Sequence, residues 1–153
     1  MLHLQNAKIV PIVCDSLDNA SATTAAIDTV GYDYCEIIVV TGNVPADIAV
    51  LKVQEGDAAN LSDAADVTGL VYGTSTTIDA ATSTLPTAAS GDDKSRLFQI
   101  DLKKRKRYLD LVLTAGDGSG TGTDFAAIAI LSRAGESPAD TAAGKGVTEA
   151  VRV

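Results

Sequence analysis

Alternation of apolar and polar residues with period two, broken every eight to twelve residues by glycine, proline or aspartate, is the feature that most limits how this chain can fold. RLFQIDL places Phe98, Ile100 and Leu102 on one face, and YLDLVLT places Leu109, Leu111 and Leu113 on one face. Side chains alternate across a strand, so such segments bury one face in a sheet and leave the other outside. Other segments carry the same signal less cleanly. LQNAKIVPIVC is an extended segment over about 4–14, which Pro11 marks as an edge or bulged strand. YCEIIVVTG is a β-branched run that reads as a buried strand. In ADIAVLKVQEG, Ala49, Leu51 and Val53 share the face better suited to a core, opposite Ile48, Val50, Lys52 and Gln54.

Between these runs the chain reads as turns. DAANLSDAADVT fits a loop or a single helical turn with Ser62 as its N-cap, and LVYGTSTTID one or two short strands. TSTLPTAASGDD and GDGSGTGTD are turn-rich connections, and FAAIAILSR is a last strand of small residues. The expected fold is all-β: a β-sandwich or jelly-roll-like barrel of about eight or nine strands spanning 1–133, followed by an extended C-terminal arm, 134–153. At 153 residues the chain is one ordinary domain, and its core must be aliphatic, because 46% of residues are hydrophobic but only 4% aromatic.

The net charge of −8 opposes general nucleic-acid affinity, which depends on lysine and arginine displacing counterions. One segment runs the other way. Lys103, Lys104, Arg105, Lys106 and Arg107 are consecutive, and without them the remainder carries −13. The alternation on either side predicts a β-hairpin with this run as its loop. As a nucleic-acid patch it lacks stacking aromatics apart from Tyr108. The remaining readings are a solvated loop and a loop that contacts carboxylates of an acidic neighbour, another copy of this chain included.

Catalytic constellations are not legible. The single histidine, His3, sits near a terminus, where a nucleophile-histidine centre would lack fixed geometry. Carboxylates are numerous but unpaired by any motif, so no enzyme activity is expected. Asp117, Ser119, Thr121 and Asp124 offer oxygens at close spacing without the glutamate that completes a calcium loop, so a hairpin turn is the simpler reading. Cys14 and Cys35 lie in apolar surroundings without metal-ligand spacing; the sequence neither requires nor forbids a disulfide. No cofactor is expected. The start MLHLQNAKIVPIVCD carries no basic leader with a long apolar core, and no apolar run reaches membrane-spanning length, so neither a cleaved export signal nor a membrane partner is expected.

The order of several pieces carries a resemblance. Gly31, Tyr32 and Asp33 precede an apolar strand ending in TG; a strand ending in KVQEGD (Lys52 to Asp57), the segment KRYLDLVLT (Lys106 to Thr114) and a small-residue strand (Ala126 to Leu131) follow. Over about 28–138 this order resembles a group of small virion proteins of tailed bacteriophages, in which KVQES-type and KRYVRVVVT-type strands are common. The tryptophan frequent after the first of these is absent, so the middle loop is not carried over. The resemblance implies a non-enzymatic structural protein made in the host cytoplasm and placed on the capsid surface as a decoration (cement) protein. Its partners would be the major capsid protein and copies of itself, with a trimer suiting a threefold position. A host-surface or carbohydrate-binding module, and a head-tail connector or tail protein, are the alternatives. Contact candidates are the five basic residues together with Val147, Val151 and Val153, which are placed to add to a neighbour's sheet edge.

Overall fold

The computed structural model describes residues 7–22, 24–73, 83–134 and 146–148. Eight strands run through them: β1 Lys8–Leu17, β2 Ile27–Asp28, β3 Tyr32–Thr41, β4 Val50–Gly56, β5 Ala65–Val71, β6 Lys94–Asp101, β7 Tyr108–Thr114 and β8 Thr123–Ala134. They form two four-stranded antiparallel sheets, one in the order β1-β8-β3-β6 and the other β2-β7-β4-β5.

The pairing has a simple logic. β1 pairs β8, β2 pairs β7, β3 pairs β6 and β4 pairs β5, so the chain doubles back on itself at the β4–β5 connection as one long antiparallel ribbon. Pairing of β3 with β8 and of β4 with β7 then rolls that ribbon into two facing sheets. This is the eight-stranded jelly roll. Among the two alternatives left open by the sequence, the sandwich and the jelly roll are one object here.

Inner faces are aliphatic, as the alternation requires. Ile37, Val39, Ala129 and Leu131 from one sheet meet Leu51, Val53, Leu109, Leu111 and Leu113 from the other, with Phe98, Ile100 and Phe125 completing the cluster. Tyr72 packs edge-on against Phe98, ring centroids 5.1 Å apart. β1 is an edge strand with a register shift between Pro11 and Val13, as the proline anticipates, although it starts later and runs further than the periodicity implies. Leu51 and Val53 are buried as expected. Ile48 is buried and Ala49 exposed because β4 starts only at Val50, so the alternation does not extend back to them.

Two expectations are corrected. The basic run is not a hairpin loop: β6 and β7 belong to different sheets, so the leucine faces flanking the run meet across the core instead of side by side. GDGSGTGTD likewise crosses between sheets, from β7 to β8. Of the two readings left open for DAANLSDAADVT, a loop or a helical turn capped by Ser62, residues 57–64 take the loop. There the Asp63 carboxylate accepts the Asp57 and Ala58 backbone N–H groups at 2.8 and 3.0 Å, and Gly56 makes room for it, since a Cβ would lie 2.6 Å from Asp63 Oδ1. The second part of LVYGTSTTID, from residue 74, lies outside the described residues.

Of the C-terminal segment, 146–148 is described. Gly146 has φ +74° and lies against β1 so closely that a Cβ would collide with the Ile9 carbonyl oxygen. Only glycine fits both conditions. Val147 beside it is half-buried, while Val151 and Val153 lie outside the described residues.

Candidate interaction surface

The five basic residues occupy the passage from one sheet to the other. Leu102–Lys104 form a single 3-10 turn, held at its start by the Asp101 carboxylate, which accepts the Lys103 N–H at 3.0 Å. Buried Leu102 closes the end of the core, and the chain then extends into β7.

Three of the five cations are committed to carboxylates of this same chain. Arg105 lies 3.5 Å from Glu55, whose other oxygen accepts the Lys106 backbone N–H at 3.1 Å. Lys106 Nζ sits between Asp57 and Asp63, at 3.3 and 3.4 Å. Arg107 grips Asp28 with two parallel hydrogen bonds, Nε to Oδ1 at 2.9 Å and Nη2 to Oδ2 at 2.8 Å, and its guanidinium stands 5.0 Å from the centre of the Tyr108 ring. The Arg107 carbonyl accepts both the N–H and the hydroxyl of Thr29. These carboxylates come from β2, β4 and the 57–64 turns of the same chain, a pairing that the sequence reading, which looked to an acidic neighbour, did not anticipate.

These contacts shift the ionisation of both partners in the stabilising sense. Hydrogen bonding to Arg107 holds the Asp28 carboxyl below its ordinary range. The Asp63 carboxyl is lowered to about 2, chiefly by the Asp57 and Ala58 backbone N–H groups, with Lys106 adding to it. Lys106 is raised, first by its hydrogen bond to Asp57, and Arg107 is raised by Asp28.

Lys103 and Lys104 differ. Both are exposed, and their ammonium groups have no ion-pair partner among the described residues. The run thus divides into a clamped half, which fixes the passage to the body, and a free half that presents two positive charges on a short turn.

The remaining candidates resolve locally. In GDGSGTGTD, Asp117 accepts the Ser119 N–H at 2.9 Å, and Asp18, from the far end of the sequence, accepts the Gly118 and Gly120 N–H groups at 2.6 and 2.7 Å. Among the described residues no three His, Cys, Asp or Glu side chains converge to hold a metal. Cys14 and Cys35 are free thiols. They flank β8 in register with Ala126 and Leu131 respectively, too far apart for a disulfide. Burial, with Glu36 adding to it, pushes the Cys35 thiol up to about 12. His3 lies outside the described residues.

The two sheets differ on their outer faces in a way that the sequence reading missed. On the β2-β7-β4-β5 sheet, Lys52 and Gln54 both bind Asp66, and Thr24 donates to Asp110. On the other sheet Pro11, Ile128, Ile38 and Leu97 stand in register as one cross-strand apolar row, with Val40 beside it. Leu97 is 45% exposed, Val40 46% and Ile128 37%. The signal was present in IIVV and AAIAIL, runs apolar at successive positions, which mark a strand apolar on both faces. Comparison with protein-family models, with curated proteins and with solved structures finds no match.

Proposed function

We propose that the protein is a non-enzymatic structural component of a tailed-phage virion: a capsid decoration, or cement, protein that binds the outer shell and braces neighbouring capsomers. The observation that carries this reading is the division of the basic passage. Its clamped half locks the turn to the jelly roll, and Lys103 and Lys104, exposed and without an ion-pair partner among the described residues, offer two cations to an acidic patch on a shell subunit. The order of strand motifs between residues 28 and 138 supports the same reading, since it resembles that of small virion proteins. A brace of this kind gains from multivalency: modest contacts made to two or more subunits at once add up to lasting attachment. Copies of the chain at a threefold position would supply that geometry.

The test compares particles made with and without this gene. Particles lacking the protein close normally but release their genome at a lower temperature, and adding purified protein restores the original value. Unchanged heat resistance, with the protein located by electron microscopy only at the tail or connector, would replace the cement reading with the tail one.

A further inference from the structure

We propose that the outer face of the β1-β8-β3-β6 sheet carries a small-molecule site at its Tyr34 end, and that its ligand is a neutral polyol, a mono- or disaccharide unit. This inference stands independently of the shell reading.

The site is a depression of about 540 Å³, within the size range of small-ligand sites. Two cross-strand rows form it. Ser132, Tyr34 and Asp101 stand in register on β8, β3 and β6, and Ile130, Glu36 and Gln99 make the row beside them. These side chains point outward because the residues that alternate with them, such as Cys35, Ile100 and Leu131, are buried.

Hydrogen bonding inside the site is half complete. Glu36 accepts the Gln99 amide N–H at 3.1 Å with one oxygen, and Asp101 accepts the Lys103 backbone N–H at 3.0 Å with one oxygen. The second oxygen of each carboxylate, the Gln99 amide oxygen and the Ser132 hydroxyl have no partner among the described residues. All four accept hydrogen bonds. The residues that carry them lie about 5 Å apart across the strands and about 7 Å apart along them, so the acceptors are spread over a floor instead of converging on a point.

The chemistry of the ligand follows from that spread. Charge around the depression is balanced: Glu36, Asp101 and Asp33 stand with Arg133, which lies 3.9 Å from Asp33, and with Lys103 and Lys104 on the turn that follows Asp101. Neither a cation nor an anion is selected. A metal ion needs converging ligands, and among the described residues no three His, Cys, Asp or Glu side chains provide them. Dispersed acceptors beside the Ile130 side chain match a molecule that carries hydroxyl donors around an apolar ring face, as a sugar does. The Arg133 guanidinium already stands 5.4 Å from the centre of the Tyr34 ring, so recognition rests on hydrogen bonds more than on stacking. Each such bond replaces one to water and gains little, which sets the affinity near the millimolar range.

The test titrates maltose, cellobiose, lactose and chitobiose, one at a time, into isotope-labelled full-length protein and follows the backbone amide shifts. At least one disaccharide is expected to bind with a Kd of about 1 mM, with shifts confined to the strands around Tyr34, Glu36, Gln99 and Ser132. E36A/Q99A, which removes two acceptors from the outer face, is expected to weaken that binding about tenfold or more. Glu36→Gln keeps an oxygen there without the charge, and is expected to bind within about twofold of the parent. The amide spectra themselves show that both variants are folded. No shift with any of the four sugars at about 20 mM, shifts scattered over the molecule, or equal binding by E36A/Q99A overturns the proposal. Spermidine binding at the same residues, lost in Glu36→Gln, would make this a cation site and overturns the assignment.

Discussion

Arg107, just before β7, and Asp28, at the end of β2, face one another, joined by two hydrogen bonds of 2.9 and 2.8 Å. They are 79 positions apart in the sequence, and the pair pins the two-residue strand β2 to the sheet at the point where the chain arrives from the opposite one. The basic run therefore acts on the fold as well as on the surface, and its two halves respond differently to substitution. R105S/K106S/R107S is expected to lower the melting temperature by several degrees, because it also leaves Glu55, Asp57, Asp63 and Asp28 without cations. K103S/K104S leaves it unchanged. Thermal melts followed by circular dichroism check both; equal effects would mean that the clamp is not structural.

Acid sensitivity follows from the same contacts. Asp28 and Asp63 have folded-state values below those of an unfolded carboxyl, about 3.9, with Asp63 at about 2. The stabilisation is thus complete above about pH 4 and is lost as the pH falls through the folded values. Urea midpoints are expected to hold level from pH 7 to 5 and to drop between about pH 4 and 2. In D63N the drop is smaller. Lys106 and Arg107, raised in the folded state, contribute fully below the ordinary lysine value and lose their contribution only in strong alkali.

Leu111 and Leu97 separate inner from outer face. Leu111 is fully buried between the sheets, so Leu111→Ala is expected to cost about 2–5 kcal/mol by urea denaturation. Leu97→Ser, on the exposed row, is expected to stay within about 0.5 kcal/mol. A large loss at Leu97 would mean that its face is packed in the free protein.

The two thiols give a direct reading of the topology. Cys14 is exposed and reacts with a thiol reagent in the native protein at the rate of a free cysteine. Cys35 is buried and held protonated, and reacts only on the timescale of unfolding.

Gly146→Ala tests the contact of the C-terminal segment with β1. The alanine Cβ would strike the Ile9 carbonyl at a positive φ, so the variant is expected to be trimmed there by protease faster than the parent, with the melting temperature unchanged. Equal trimming would show that the contact is not held in solution.

Strand content and the core were legible because the alternation of Phe98, Ile100 and Leu102, and of Leu109, Leu111 and Leu113, records one buried face each. Sheet membership was not. Adjacent alternating segments read alike whether they pair side by side or face each other across a core, and only the long-range pairings, β1 with β8 and β3 with β8, decide between them. For the same reason the partners of the basic run, Asp28, Glu55, Asp57 and Asp63, were hidden: the residues are close in space and distant in sequence. The split between clamped and free cations depends on that geometry. The outer apolar row was masked differently, since an uninterrupted apolar run shows that both faces of a strand are apolar without showing which of them stays exposed.

The proposed attachment to a capsid shell through Lys103 and Lys104 is measured most directly by titrating purified protein onto shells that lack it, with bound copies counted per particle. Wild-type protein is expected to saturate at a fixed number of copies set by shell symmetry, with binding that weakens as salt rises. K103S/K104S, equally folded, is expected to bind far less and to lose that salt dependence. No binding to shells, or full saturation by the variant at every ionic strength, would contradict it.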